Sequence, residues 1–316
     1  MVLTPGSSWI KPRFIAALAR MRPNNALGIA KSPMSTLNPA RIVGTTLAIM
    51  GVLAGTAFGT IYGISEWKLR RPNDVPLVSL RATAAPNLAE GERMARIVGC
   101  WDGCHGRTGQ GGQEEIKGIV RNTAPTLSQV VPLYSDDELV RLIRYGLKRD
   151  GKSAVGMISY TFWALGDQDL MNIIAHLRRQ PVLPPIRRKL QVTWRGRLAL
   201  VTGAWKVSVE QVDRSRPRWG DLPQTTPIER GRYIASVTCS ECHGLNYSGN
   251  PLERAPSLAI VAMYSLEQFT HLMRTAQPIG GRKLDENMNW VANAPFTDEE
   301  VTGLYQFLRT NQAFKP

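Results

Sequence analysis

The order of apolar and polar residues divides the chain into one long uncharged run and several shorter amphipathic ones. From Ile42 to Ile64 no residue is charged, a length that meets the roughly 20 residues a helix needs to cross about 30 Å of hydrocarbon. This predicts one transmembrane helix over 42–65. A buried helix of a soluble domain is the competing reading, and a cleaved secretory signal would have a shorter apolar core. Farther on, Leu139, Leu142 and Ile143 recur at helical spacing, as do Leu170, Ile173, Ile174 and Leu177. Phe269, Leu272 and Met273 form a third stripe, and Val301, Leu304, Tyr305 and Leu308 a fourth. Spacing of this kind predicts helices that bury one face.

The helix starts are marked as well. Ser135 with Glu138, and Ser265 with Gln268, have the form of capping boxes, in which two side chains satisfy helix N–H groups that lack a partner. Gly166-Asp167-Gln168-Asp169 and Thr297-Asp298-Glu299-Glu300 open the second and fourth stripes. The four stripes are therefore two pairs, repeated after about 130 residues. Ala124-Pro125-Thr126-Leu127 matches Ala255-Pro256-Ser257-Leu258, Tyr134 matches Tyr264, and Met157 falls opposite Met288.

Each repeat carries one cysteine cluster closed by a histidine, and together the clusters use every cysteine in the chain. They are Cys100-Trp101-Asp102-Gly103-Cys104-His105 and Cys239-Ser240-Glu241-Cys242-His243. A Cys-x-x-Cys-His run is the attachment signature of c-type haem: two sulfurs add to the two vinyl groups and the adjacent imidazole reaches the iron. The second cluster has that spacing. The first has one extra residue, which Gly103 could absorb through backbone angles closed to other residues; attachment through Cys104 alone remains the alternative. A zinc site or local disulfides would also use four cysteines, but neither accounts for the matched Pro, helix and Met positions.

An iron held by one imidazole keeps an open axial position, and a thioether there raises the reduction potential. Register selects Met157 and Met288 for it. Met263 falls opposite Leu133 and Met273 opposite Ile143, as ordinary apolar positions do, and Met171 lies within a helix. His176 and His271 read as solvated helix-face residues.

In this combination both halves resemble class I cytochrome c domains, over residues 88–179 and 228–309. The resemblance implies an all-α fold of two tandem domains. In each, a helix runs into the cysteine cluster: Glu92 to Gly99 leads to Cys100, and Glu229 to Ser236 leads towards Cys239. A final helix packs across the first. It implies two covalently bound haem c groups, with His105 and His243 as proximal ligands, Met157 and Met288 as distal ones, and the carbonyls of Pro125 and Pro256 accepting from the proximal imidazoles. The organisation expected is a basic segment 1–41, an anchor 42–65, a linker 66–87, domains over 88–180 and 228–316, and between them a basic segment 181–227. That last segment has no counterpart in the repeat. Its stretch from Leu198 to Val209 is poorly suited to a long helix, and docking on the haem domains or another subunit is expected, with a solvated linker as the competing view.

The anchor adds Gly51, Gly55, Gly59 and Gly63 at every fourth position, a face of small residues suited to a partner helix of a membrane complex. Charge on its flanks is nearly balanced, so orientation follows from the haem motifs: a single pass through a bacterial inner membrane with the haem domains in the periplasm. The acid-free, arginine-bearing start also resembles an organelle transit peptide. A net charge of +14 with no recognition motif excludes nucleic acid as the partner and favours acidic redox proteins or anionic lipid. The function expected is electron transfer between a donor and an acceptor protein, within a respiratory, photosynthetic or dehydrogenase complex, with no catalytic residues. The alternative is a haem enzyme such as a dihaem peroxidase or sulfur-compound dehydrogenase.

Overall fold

The computed structural model describes residues 38–310, save 102, 188, 252 and 282. Most of the basic segment 1–41 lies outside the described residues, as do residues 311–316. The chain divides into two units, residues 1–53 and 54–316. The described residues of the first form the upstream part of a long helix, α1 (Pro39–Arg70). This helix is long and apolar enough to cross a membrane. It exceeds the expected 42–65 at both ends. Leu47, Val52 and Leu53 are each more than half exposed, at 62%, 68% and 64%, and a Cβ at Gly51, Gly55, Gly59 or Gly63 would meet no described atom.

In the larger unit the elements run in the order α2 (Leu88–Ile97), β1 (Gly112–Ile116), β2 (Val120–Ala124), α3 (Leu127–Val130), α4 (Asp136–Tyr145), α5 (Ser159–Phe162) and α6 (Asp167–Leu177). Next come β3 (Gln191–Val192), α7 (Trp194–Thr202), α8 (Ser208–Gln211), α9 (Pro227–Val237), α10 (Ser240–His243), α11 (Leu266–Thr275) and α12 (Asp298–Leu308). Helices dominate, but β1, β2 and β3 form an antiparallel sheet in that order, which the all-α expectation did not contain. Gly112-Gln113-Glu114-Glu115-Ile116 is poor in the β-branched residues that mark strands. Backbone pairing makes it one.

Local chemistry sets the helix ends. Ser135 Oγ accepts from Glu138 N at 3.2 Å and Ser135 N donates back to Glu138 at 2.8 Å. Ser265 with Gln268 and Thr297 with Glu300 close the same boxes. α4 stops where Gly146 turns left-handed at φ 67°. Its counterpart in the repeat, Ala276, adopts φ 56°, a conformation that disfavours a side chain by about 1–2 kcal/mol.

In each half the first and last helices cross so closely that the crossing point admits only glycine. A Cβ on Gly91 of α2 would lie 2.0 Å from Asn172 O of α6, and one on Gly231 of α9 would lie 2.0 Å from Gly303 O of α12. Met94, Leu170 and Ile173 from one crossing, and Ile234, Val301 and Leu304 from the other, belong to one continuous buried core.

The segment 181–227 is folded onto the rest. β3 extends the sheet by pairing Val120 with Val192, Arg216 O accepts from Trp163 Nε1 at 2.8 Å, and Gly220 N donates to Ala164 O at 2.9 Å. Leu198 onward is no long helix: α7 ends at Thr202, where Gly203 turns left-handed at φ 79°.

Candidate functional site

α2 and α9 deliver the two cysteine clusters to equivalent places. Cys100 N donates to Ala95 O at 2.8 Å, and Cys239 N to Ala235 O at 3.0 Å. After each cluster the backbone repeats its own bonds. Gly111 N reaches His105 O at 2.9 Å as Gly249 N reaches His243 O at 3.0 Å, and Leu127 N reaches Gly109 O at 2.8 Å as Leu258 N reaches Tyr247 O at 2.9 Å. Beyond these bonds the halves diverge. Asn250 bridges Ala255 in the second half, and in the first the corresponding pair, Gly112 with Ala124, is drawn out into the β1–β2 hairpin. The hairpin therefore lengthens a loop without altering its ends.

Those ends aim the imidazoles. His105 Nδ1 lies 2.9 Å from Pro125 O and His243 Nδ1 lies 2.7 Å from Pro256 O. A carbonyl only accepts, so each Nδ1 carries the hydrogen and each Nε2 keeps a free lone pair. Burial pushes both imidazoles below their ordinary pKa, against the pull of the proline carbonyls. Both rings are thus neutral at pH 7, the form that binds a metal.

The four thiols are free of disulfides. Burial pushes Cys100 up to about 12, and burial with the charges of Glu114 and Glu241 does the same to Cys104. Cys242 is raised to about 12 by burial and by Glu241 and Glu253, and Cys239 is raised by burial. All four stay protonated thiols. Among the described residues no three His, Cys, Asp or Glu side chains converge as metal ligands would, so the cysteines are not gathered in the manner of a zinc cluster. Two neutral imidazoles, four reduced thiols and two thioethers suit a soft, covalently tethered iron group better than a hard cation. Met157 and Met288 are half-buried and border the same core as Cys100 and Cys239.

Gly103 differs from expectation. Positive φ belongs instead to its neighbours Gly99 at 77° and Gly106 at 72°. Gly103 is needed because a Cβ there would sit 2.6 Å from Gly99 O. His176 also departs from the solvated reading: it meets the buried Trp101 edge-on at 5.9 Å, and burial lowers its pKa. His271 is exposed. Met263 is 72% exposed like Leu133 at 57%, and Met273 is buried like Ile143.

Several interactions that no sequence pattern indicates link the two halves near the second cluster. Tyr160 O–H donates to Glu241 O at 3.3 Å. Glu241, inside the second cluster, is raised to about 7 by burial and then by Glu253 and Glu114, the last from β1 of the first half. A second junction joins the halves through Glu300 of α12. Arg93 of α2 donates to both its oxygens, at 2.8 and 3.0 Å, and Arg230 of α9 donates to the same carboxylate. Tyr233 O–H adds a bond to Asp169 at 2.6 Å. Burial raises Glu300, but the bonds from Arg93 and Thr297 and the charges of Arg230 and Arg93 outweigh it, leaving the carboxyl below its ordinary pKa.

No protein family and no curated protein matches this chain. Among solved structures, the chain is similar to reduced recombinant cytochrome c4 from Pseudomonas stutzeri. The identity is 16%, over 71% of this chain and 98% of that one, with a TM-score of 0.21.

Proposed function

We propose that the chain is a membrane-anchored dihaem c-type cytochrome that relays electrons between protein partners. One observation carries the reading: in both halves the histidine after the second cysteine has its Nδ1 tied to a proline carbonyl, with a neutral ring and a free Nε2. When bound, a haem in each half would supply an iron that takes up and gives back one electron. His105 with Met157, and His243 with Met288, would be its ligands. Cys100, Cys104, Cys239 and Cys242 would fix it through thioether bonds, each formed by adding S–H across a vinyl group with no change in oxidation level. The chain's own residues then do two things. Pro125 and Pro256 fix each imidazole against rotation, so the ligand set changes little when charge changes. Tyr160 donates to the Glu241 backbone and the charges of Glu114 and Glu241 both act on the Cys104 thiol, which supports a short path for an electron between halves.

The apolar run of α1 supports attachment to a membrane, and a bacterial inner membrane with the haem domains in the periplasm fits the chemistry of haem attachment. The glycine face of α1 is the proposed contact with a membrane complex. The test is haem content: purified full chain should give two haems per polypeptide by pyridine haemochrome absorbance, retained after acid–acetone extraction. A colourless chain, or one with a single haem, overturns the reading.

A further inference from the structure

The start of α7 is fixed against α1 well inside the apolar run of that helix. Trp194 stacks on Phe58, with ring centroids 4.4 Å apart and planes 11° from parallel. Arg197 lies over the Tyr62 ring at 4.1 Å and donates to Ser65 Oγ and Glu66 Oε1, each at 2.7 Å. Lys68 Nζ donates to Leu200 O at 3.1 Å. The partners advance together along both helices, so α7 runs in the same sense as α1 and Trp194 is its end nearest the middle of the apolar run. Phe58 lies six residues before Ile64, the last residue of that run, which is roughly 9 Å at the rise of an α-helix. With α1 spanning a membrane, Trp194 therefore lies up to roughly 9 Å inside the point where α1 leaves hydrocarbon, a depth that interfacial apolar side chains reach.

The turn of the β1–β2 hairpin is joined to the same place. Thr193 N donates to Ile119 O at 3.0 Å and Thr193 Oγ1 to Gly118 O at 2.7 Å. That same oxygen caps α7 by accepting from Gly196 N at 2.9 Å. A Cβ on Gly196 would stand 2.2 Å from Ile119 O, so the hairpin and helix approach as closely as a glycine permits. Around this join Ile116, Trp194 and Leu198 are 42%, 40% and 44% exposed, and Lys117 and Arg195 are exposed beside them. Large apolar and cationic side chains together suit a lipid interface, where the first reach acyl chains and the second meet phosphate.

We propose that the β1–β2 turn and the first turn of α7 form a second membrane contact, seated at the boundary of headgroups and acyl chains beside α1, with Lys117 and Arg195 on anionic phospholipid. This rests on the reading of α1 as a membrane span. A contact beside the span fixes the tilt of α1 and, through the α1–α7 contacts, the orientation of the body that carries the haems.

Photo-cross-linking of the full chain tests it, in vesicles of phosphatidylcholine and phosphatidylglycerol. p-Benzoylphenylalanine is installed singly at position 116, 194 or 198, at position 47 inside the apolar run, and at position 263, exposed in the second half; adducts are read by mass spectrometry. Lipid adducts are expected at 116, 194 and 198 as at 47, and not at 263. Because the label at 194 disturbs the Phe58 stack, 116 and 198 decide. Adducts at 47 with none at 116 and 198 overturn the second contact and leave the anchor standing. No adduct at 47 either overturns both, and cross-links from 116 and 198 to protein instead of lipid overturn the lipid assignment.

Discussion

Replacing Glu300 by glutamine tests the junction between the halves directly. The Glu300 side chain is 2% exposed, and its two arginine partners, Arg93 and Arg230, are 19% and 24% exposed. Removing one member of a buried ion pair costs roughly 3–5 kcal/mol, because the partner's charge is left without compensation. The low end applies here, for two reasons. Arg93 keeps a second carboxylate, Glu90, at 2.7 Å, and the amide oxygen of glutamine still accepts one bond. The expected loss is therefore about 3 kcal/mol, which at about 2.1 cal/mol/K of unfolding entropy per residue lowers the melting temperature of a chain of this size by roughly 5 °C. Helical circular dichroism of the full chain reads it. Arg93→Met alone and with Glu300→Gln completes a double-mutant cycle, whose coupling should approach 2 kcal/mol, within the usual range of about 0.5–3 for residues in contact. A loss below about 0.5 kcal/mol, or simple additivity, would place the pair with exposed salt bridges and refute the reasoning.

The same carboxylate predicts a pH dependence. Its folded pKa lies below the ordinary 4.5, so its contribution is complete above that value and disappears as pH falls through the folded one; the stability gap between wild type and Glu300→Gln should close in acid below 4.5. Gly231→Ala drives a methyl group into the Gly303 backbone, 2.0 Å from its carbonyl oxygen, and should cost about 3 kcal/mol or more by urea denaturation. Met157→Ala or Met288→Ala should each lower one of two reduction potentials in a redox titration and leave the other unmoved. Alkylation of the unfolded, haem-loaded chain should label no thiol; a label at Cys100 alone would mean that the longer first cluster attaches through Cys104 only.

Whatever depends on near neighbours is legible in the sequence. Ser135 with Glu138 and Thr297 with Glu300 announce helix starts because a capping box is made by residues three apart. Pro125 and Pro256 emerge from register, since both halves keep the same residues around them. The hairpin is invisible: Gly112 to Ala124 is polar and glycine-flanked, and its strands exist because the two-residue bridge of the other half is lengthened here. Glu300 shows only its local role. Its reach to Arg93, more than two hundred residues earlier, has no trace in spacing or composition. Gly103 stands out for the correct loop and the wrong cause, because close approach to Gly99 is a tertiary fact. Trp101 against His176 escapes the pattern for the same reason.

The order in which the chain is made gives the crossing segment one more consequence. The first half's own last helix ends at Leu177, yet β2 gains its outer neighbour only when Val192 arrives, and Leu69 gains Leu200 later still. A polypeptide emerging from its N-terminus must therefore leave that half with an open edge while the next two dozen residues are delivered. Over that interval the late strand and helix can settle only on a half whose own helices are already made, so the crossing segment closes the first half and does not found it.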